Sequence, residues 1–289
     1  MPNRRGYKMD ILRHIFMEKT TGGTENIGTD IDFLLSEVGN AFAPSGHSRP
    51  TSYSNFVLDL TRVDKGIARR LPKEVIDFGY DLRKKTGKKP GTNESYCGTF
   101  IYLGQGENKE VLKLNDWLIW DDPSKTITIK NKAPAEILPY ISNDEGSIFS
   151  IIDYCDVLSQ VVFDSCGKIH RVQNPMKWQP NEIDGFYLSN ISRTVTVYPV
   201  ETKASSTGDD INLVQMNGQY ETFINKMRNK QMTKALIRPI AIKMQDGGLN
   251  VAILEKNPLY NSVTNKAAPF FIIHNIVRIE FDPKIPSWG

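Results

Sequence analysis

Three segments of the 289-residue chain place a carboxylate two positions before a lysine: Glu107–Lys109, Glu201–Lys203 and Asp282–Lys284. In a β-strand, side chains at positions i and i+2 point to the same face, so this spacing can bring an acid and an ammonium group together. Only the second segment follows an apolar, strand-like run, VTVYPV. The first lies in a polar turn, and the third contains a proline near the C-terminus. We therefore predict that Glu201 and Lys203 carry the chemistry.

A second carboxylate, that of Asp184, interrupts the preceding strand-like segment. Sixteen residues separate Asp184 from Glu201, enough for a strand, a turn and a second strand that pairs antiparallel with the first. Two neighbouring carboxylates repel each other unless a cation lies between them, and oxygen ligands suit Mg²⁺. Such a metal activates a bound water and stabilises charge on a phosphate, while Lys203 orients the water or helps to deprotonate it. The backbone carbonyl of Thr202 is expected as a further ligand.

The set of Asp184, Glu201 and Lys203 resembles the active site of the PD-(D/E)xK nuclease superfamily, which includes most type II restriction endonucleases. The resemblance covers roughly residues 144–244. It identifies Asp184 and Glu201 as metal ligands and Lys203 as the catalytic lysine. In the first motif Ile183 stands where the family usually has proline. The resemblance implies Mg²⁺, for which Mn²⁺ can substitute, and double-stranded DNA as the substrate.

Further site residues follow from the same resemblance. Many members have a glutamine on the helix after the Glu-x-Lys strand, which points to Gln215 and Gln219 on a helix predicted at 209–228. Some use an acid from the preceding helix, here predicted at 144–160, which points to Glu145 and Asp153. The loop before the second helix borders the DNA cleft in this family, so Ser205 and Ser206 are expected to contact phosphate.

The second half of the chain has the pattern of an α/β (α+β) fold. Helical and strand-like segments predict a restriction-endonuclease-like core over 141–289, in which helices flank a mixed central sheet. The expected order is a helix, three strands, a helix and further strands. The predicted strands lie at 168–172, 182–188, 194–200, 234–244, 248–254 and 271–281, with Gly247-Gly248 marking a hairpin.

The first half, residues 1–140, reads as a mainly helical region with a strand hairpin. Helices are predicted at 8–18, 29–42, 52–62 and 72–85, and strands at 97–103 and 111–119. This order resembles a winged-helix domain, which would read DNA through one helix and the hairpin. Four basic residues are then the expected DNA contacts: Arg62, Lys65, Arg69 and Arg70. The alternative is a helical packing domain with a solvated basic face.

Composition excludes several classes of protein without choosing a function. The chain is 39% hydrophobic and 24% charged, with a net charge of +3, so it reads as an ordinary globular protein rather than a disordered one. Its longest apolar runs are shorter than a membrane span. Three widely spaced cysteines give neither a disulfide framework nor a zinc motif, which fits a cytoplasmic protein.

Three hypotheses follow. The leading one is a type II restriction endonuclease, acting as a homodimer and paired with a cognate DNA methyltransferase. The absence of a Walker-type ATP-binding motif favours this stand-alone class. The second is a repair, recombination or transposon-end nuclease on the same core. The third is a DNA-binding protein with an inactive nuclease core, which the intact Asp184, Glu201 and Lys203 disfavour.

Overall fold

The computed structural model describes residues 6–21, 27–49, 56–61, 71–104, 114–163, 168–173, 176–178, 181–191, 194–204, 210–229 and 235–288. The chain divides into two compact units. The first contains residues 1–116 and 258–269, and the second contains residues 117–257 and 270–289. No helix in these described ranges combines the length and the apolar character needed to cross a membrane.

The first unit combines short helices with a small antiparallel sheet. Its elements, in chain order, are α1 (Gly6–Thr21), β1 (Ile31–Leu34), α2 (Leu35–Ala41), α3 (Phe56–Thr61), α4 (Lys73–Asp77), β2 (Tyr80–Lys84) and β3 (Tyr96–Tyr102). The strand order is β1-β3-β2, with both pairings antiparallel. Phe16 of α1 packs edge-on against Tyr80 and Phe100 of this sheet, so the helix and the strands share one apolar core.

This unit is less helical than the sequence pattern predicts, and the predicted winged-helix hairpin is wrong. β3 pairs with β1 and β2, not with residues 111–119; of these, 114–119 form no strand, and 111–113 lie outside the described residues. The predicted helix 72–85 stops after α4 because Gly79, with φ of 79°, turns the chain into β2. The predicted helix 29–42 begins instead with the strand β1.

The second unit is built on one large mixed sheet. Its elements begin with β4 (Lys125–Lys130), α5 (Glu145–Tyr154), α6 (Val157–Phe163), β5 (His170–Gln173), β6 (Met176–Trp178), β7 (Asn181–Ile183), β8 (Gly185–Ile191) and β9 (Thr194–Lys203). They continue with α7 (Leu213–Asn229), β10 (Leu236–Ile237), β11 (Ile240–Gln245), β12 (Gly248–Lys256) and β13 (Phe271–Asp282). Short 3-10 helices lie at Leu138–Tyr140 and Pro286–Trp288.

The sheet order is β4-β13-β12-β11-β9-β8-β5, with the short β10 also pairing with β9; β6 and β7 form a separate two-stranded ribbon. β5, β8 and β9 form an antiparallel meander. The helix α7 then connects β9 to the parallel strand β11. The pairings of β11 with β12 and of β12 with β13 are antiparallel, whereas β4 is parallel to β13. The predicted mixed sheet is therefore confirmed.

Because successive side chains of β9 point to opposite faces of the sheet, each face contacts a different helix layer. Tyr198 and Val200 belong to the main apolar core, which also contains buried residues of α5 and α6. Val197 and Glu201 point to the other face, where Phe223 and Gln219 of α7 contact them. The sheet is thus flanked by helices on both faces, and Glu201 lies beneath α7.

The boundary between the units lies near residue 116 rather than at the predicted residue 140. β4 pairs with β13 over six positions, from Lys125 with Val277 to Lys130 with Asp282, so the segment joins the large sheet. β4 carries little apolar alternation, because five of its six residues are exposed or half-buried. Residues 258–269, which the sequence pattern assigned to the nuclease core, belong instead to the first unit.

Gly185 allows α5 to approach the strand that follows Asp184. A Cβ at this position would lie 2.3 Å from Cε1 and 2.8 Å from Cζ of Phe149, which stacks against Tyr187. Because the ring is enclosed in the core, we expect Gly185→Ala to lower the free energy of unfolding by about 1–3 kcal/mol. Urea unfolding measures this loss. Adding Phe149→Leu should recover part of it, and strictly additive losses in the double variant would contradict the proposed contact.

Candidate active site

The candidate site lies where β8 begins and β9 ends. Gly185 pairs with Val200 in the antiparallel register, which places Asp184, one residue earlier, across from Glu201. The predicted strand 182–188 is interrupted at this point, with β7 ending at Ile183 and β8 starting at Gly185. Asp184 therefore lies at a break between two strands, and its carboxylate accepts a hydrogen bond from the backbone N–H of Thr202, at 3.2 Å.

The carboxylate of Glu201 is the most enclosed charged group of the site, with only 1% of the residue exposed. Its Oε1 accepts hydrogen bonds from Lys203 Nζ at 2.9 Å and from Gln215 Nε2 at 3.0 Å. Its Oε2 accepts one from Gln219 Nε2 at 2.8 Å. A buried carboxylate is costly without such donors. One ammonium and two amides therefore compensate for the burial of this acid and fix it in position.

Lys203 joins three oxygen atoms of the site. Its ammonium donates to Glu201 Oε1, to the carbonyl oxygen of Thr202 at 2.9 Å and to Glu145 Oε1 at 3.3 Å. Burial lowers the pKa of this ammonium, but the carboxylates of Glu201 and Asp184 outweigh burial and leave the pKa raised above its usual range. Lys203 is therefore positively charged at neutral pH.

In Asp184, by contrast, the surroundings favour the neutral form, because its carboxylate is also withdrawn from solvent. Burial and the nearby charge of Glu201 raise the pKa of Asp184 to about 8, although Lys203 and the N–H of Thr202 act in the other direction. Two acids that are forced together in this way gain most from a cation that they share.

The helix α7 supplies the two glutamines because its start is fixed by Asn212. Asn212 Oδ1 accepts hydrogen bonds from the backbone N–H groups of Val214 and Gln215. Gln215 and Gln219 lie one turn apart, so both amides reach the same carboxylate. Asp210, two residues before Asn212, pairs with Lys243.

The two acids expected from the preceding helix have different positions. Glu145, in the first turn of α5, contacts Lys203 and belongs to the cluster. Asp153 does not; its carboxylate accepts a hydrogen bond from Tyr187 Oη at 2.9 Å and pairs with Arg171. The predicted DNA contacts Arg62, Lys65, Arg69, Arg70, Ser205 and Ser206 all lie outside the described residues.

The oxygen atoms of the site suit a hard divalent cation. Within the described ranges, no group of three or more His, Cys, Asp or Glu side chains could hold a metal ion. Asp184 and Glu201 would therefore need the Thr202 carbonyl oxygen, with water completing the coordination, which Mg²⁺ prefers. Two of these oxygens, on Glu201 and Thr202, already bind a cation, the ammonium of Lys203. The donor set thus fits Mg²⁺ in chemistry.

Comparisons with known proteins identify no relative of this chain. No family model matches it, and neither a curated protein nor a solved structure is significantly similar to it.

Removing one of the two glutamine amides that bind Glu201 should destabilise the protein, and the loss should be larger for the more deeply buried amide. Gln219 is fully buried, so water cannot replace it in Gln219→Leu, and we expect a loss of about 1.5–3 kcal/mol. Gln215 is half-buried, so the matched variant Gln215→Leu should lose clearly less. Urea unfolding with a chelator present measures both. Equal losses would argue against a special role of the buried amide.

The raised pKa of Asp184 predicts a pH-dependent stability. The pKa of Asp184 is higher in the folded protein than in the unfolded chain. The contribution of Asp184 to the free energy of unfolding is therefore complete below about pH 4. That contribution is lost as the pH rises through the folded pKa of about 8. Asp184→Asn stays neutral, so it should become progressively more stable than the wild type across this window. Urea unfolding at a series of pH values, without metal, measures the difference. The exposed Asp282→Asn is the control for the substitution itself, and a flat difference for Asp184→Asn would count against the assignment.

Proposed function

We propose that this protein is a Mg²⁺-dependent endonuclease of the PD-(D/E)xK type, which hydrolyses phosphodiester bonds in double-stranded DNA. The observation that carries the proposal is the convergence of Asp184, Glu201 and Lys203 at one point of the sheet. Two independent elements, α5 and α7, add Glu145 and the paired glutamines to the same point. A chance Glu-x-Lys on a solvated edge strand would have no such surroundings.

The order of the elements supports the same proposal. The resemblance leads one to expect a helix, a three-stranded meander, a second helix and a further strand over 144–244. This order corresponds to α5 and α6, then β5, β8 and β9, then α7 and β11. The ribbon of β6 and β7 is an insertion in that order.

The chemistry of each residue follows from its contacts. Asp184, Glu201 and the Thr202 carbonyl would hold the metal. The metal, when bound, would lower the pKa of a water and neutralise charge on the phosphate. Lys203 is protonated at neutral pH because of its carboxylate neighbours, so we assign it to orienting the attacking water and stabilising phosphate charge rather than to removing a proton. Gln215 and Gln219 keep Glu201 in its rotamer.

Within this class we favour a type II restriction endonuclease. A restriction enzyme would act in the cytoplasm as a homodimer, beside a methyltransferase that protects the host DNA. Sequence readout would then fall to residues outside the catalytic cluster, through base-edge contacts. The first unit, with its own core, is the segment we assign to this task.

The decisive measurement is cleavage of plasmid and phage DNA with Mg²⁺. We expect discrete fragments with the wild type and a loss of at least about a hundredfold in rate for Glu201→Ala, Lys203→Ala and Asp184→Asn. Lys284→Ala is the matched control, because it removes the exposed lysine of the other described acid-x-lysine segment and should cleave normally.

Two results would count against the proposal. Cleavage that survives Glu201→Ala and Lys203→Ala would remove these residues from the site. A wild-type protein that binds DNA but never cleaves it, with either Mg²⁺ or Mn²⁺, would favour the inactive DNA-binding alternative.

A further inference from the structure

Beyond the catalytic cluster, one row of polar side chains crosses the sheet at the height of Lys203. In the strand registers Lys203 of β9 pairs with Lys243 of β11, Lys243 with Asn250 of β12, and Asn250 with Arg278 of β13. Directly paired residues point to the same face of a sheet. These four residues, which we call the basic row, therefore form a continuous line that starts at the candidate site.

The basic row is chemically unlike the residues on the side of it that contains Glu201. The adjacent positions on these strands point to the opposite face of the sheet and are buried there: Thr202, Ile242, Val251 and Val277. On the face of the row, the line of residues next to it consists of Glu201, Ala241, Ala252 and Ile276. Three of the four members of the row carry or can carry a positive charge, and none is acidic. The row thus places three cationic side chains on one line that begins next to Glu201.

Lys243 is positioned by a carboxylate. Its ammonium pairs with Asp210, in the segment that leads into α7, and the lysine side chain is 21% exposed. The ammonium has further donor hydrogens, because Lys carries three. It can therefore keep Asp210 and still donate to an oxygen that arrives from solvent.

Among the described residues, the groups that hold Arg278 are neutral. Its Nη1 donates to the carbonyl of Gln245 at 2.6 Å and to Asn250 Oδ1 at 3.3 Å, and its Nη2 donates to the carbonyl of Asp246 at 2.9 Å. In the part of the chain that the structure describes, Arg278 forms no ion pair with a carboxylate. Its charge is therefore fixed in place by the β11–β12 turn without being neutralised.

Gly248 makes this position of the guanidinium possible. A Cβ at residue 248 would lie 2.9 Å from Arg278 Nη2 and 2.3 Å from the carbonyl oxygen of Ile279. The hairpin is thus closed tightly against the arginine. A cation that the fold fixes in this way and leaves without a counter-charge is suited to binding an anion from outside.

We propose that the basic row binds the DNA backbone beside the scissile phosphate, so that the substrate strand runs across the sheet from Lys203 towards Arg278. The inference rests on the proposed nuclease function, because that function places a phosphate at Lys203. From Lys203 to Arg278 the row crosses three strand spacings, roughly 14 Å. This distance covers several nucleotide steps of about 3.4 Å along a duplex, so Lys243 and Arg278 contact different phosphates.

The test is the salt dependence of DNA binding by the full chain without divalent metal, so that no cleavage occurs. Anisotropy of a short, labelled, mixed-sequence duplex gives the binding constant across a salt series. Each lost phosphate contact reduces the slope of log K against log salt by about 0.9. We expect this reduction for Lys243→Gln and for Arg278→Gln, and about twice as much for the double variant.

Two control variants separate charge from structure. Arg278→Lys keeps the charge but loses the bonding geometry of the guanidinium, so its slope should equal that of the wild type even if the hairpin is loosened. Arg238→Gln removes an exposed arginine next to Val197, about 20 Å along the sheet from Lys203, and should also leave the slope unchanged.

The outcomes distinguish this inference from the proposed function. A double variant with the wild-type slope and affinity would overturn the role of the row, as would a wild type that does not bind the duplex at low salt. A wild type whose binding depends on the row, yet which never cleaves DNA with Mg²⁺, would support the row and refute the nuclease.

Discussion

The burial of the Glu201 carboxylate is the constraint on which the rest of the site depends. An acid with only 1% of its surface exposed must be surrounded by donors, and two elements supply them. β9 brings Lys203 two residues later, and α7 brings Gln215 and Gln219. The parallel crossover from β9 through α7 to β11 is thus tied to the chemistry as well as to the sheet. The charge at Lys203 in turn draws Glu145 of α5 to the same point.

The central part of the fold could be predicted from the sequence because its signals are local. Strong alternation marks β9, β11, β12 and β13, and the helix α7 falls within one residue of its predicted end. The acid-x-lysine spacing and an acid on the partner strand sufficed to bring Asp184, Glu201 and Lys203 together. The resemblance to the nuclease superfamily pointed to Gln215 and Gln219, which lie one turn apart, so that both amides reach Glu201. Within each element, the side-chain period determines which residues share a face.

The remaining features depend on tertiary contacts that no local pattern contains. β4 is exposed on most of its length and is a strand only because β13 pairs with it. Asp153 lies on the predicted helix, but near the end of that helix, where Arg171 and Tyr187 bind it. In the first unit, Gly79 ends a helix that the apolar spacing would continue. The cross-strand alignment of Lys243 with Arg278 likewise requires the register of three strands.

The two-residue turn between β11 and β12 has a consequence for how this protein tolerates change. Asp246 and Gly247 both have positive φ, at 46° and 71°, which is the tightest way to reverse a strand. A turn of this kind permits one register only, and a shift by one residue would exchange the two faces of β12. Val251 would then lie beneath α7, and Asn250 would enter the apolar core. Insertions and deletions should therefore accumulate elsewhere in the chain, while the length of this turn stays constant among any descendants that keep this sheet.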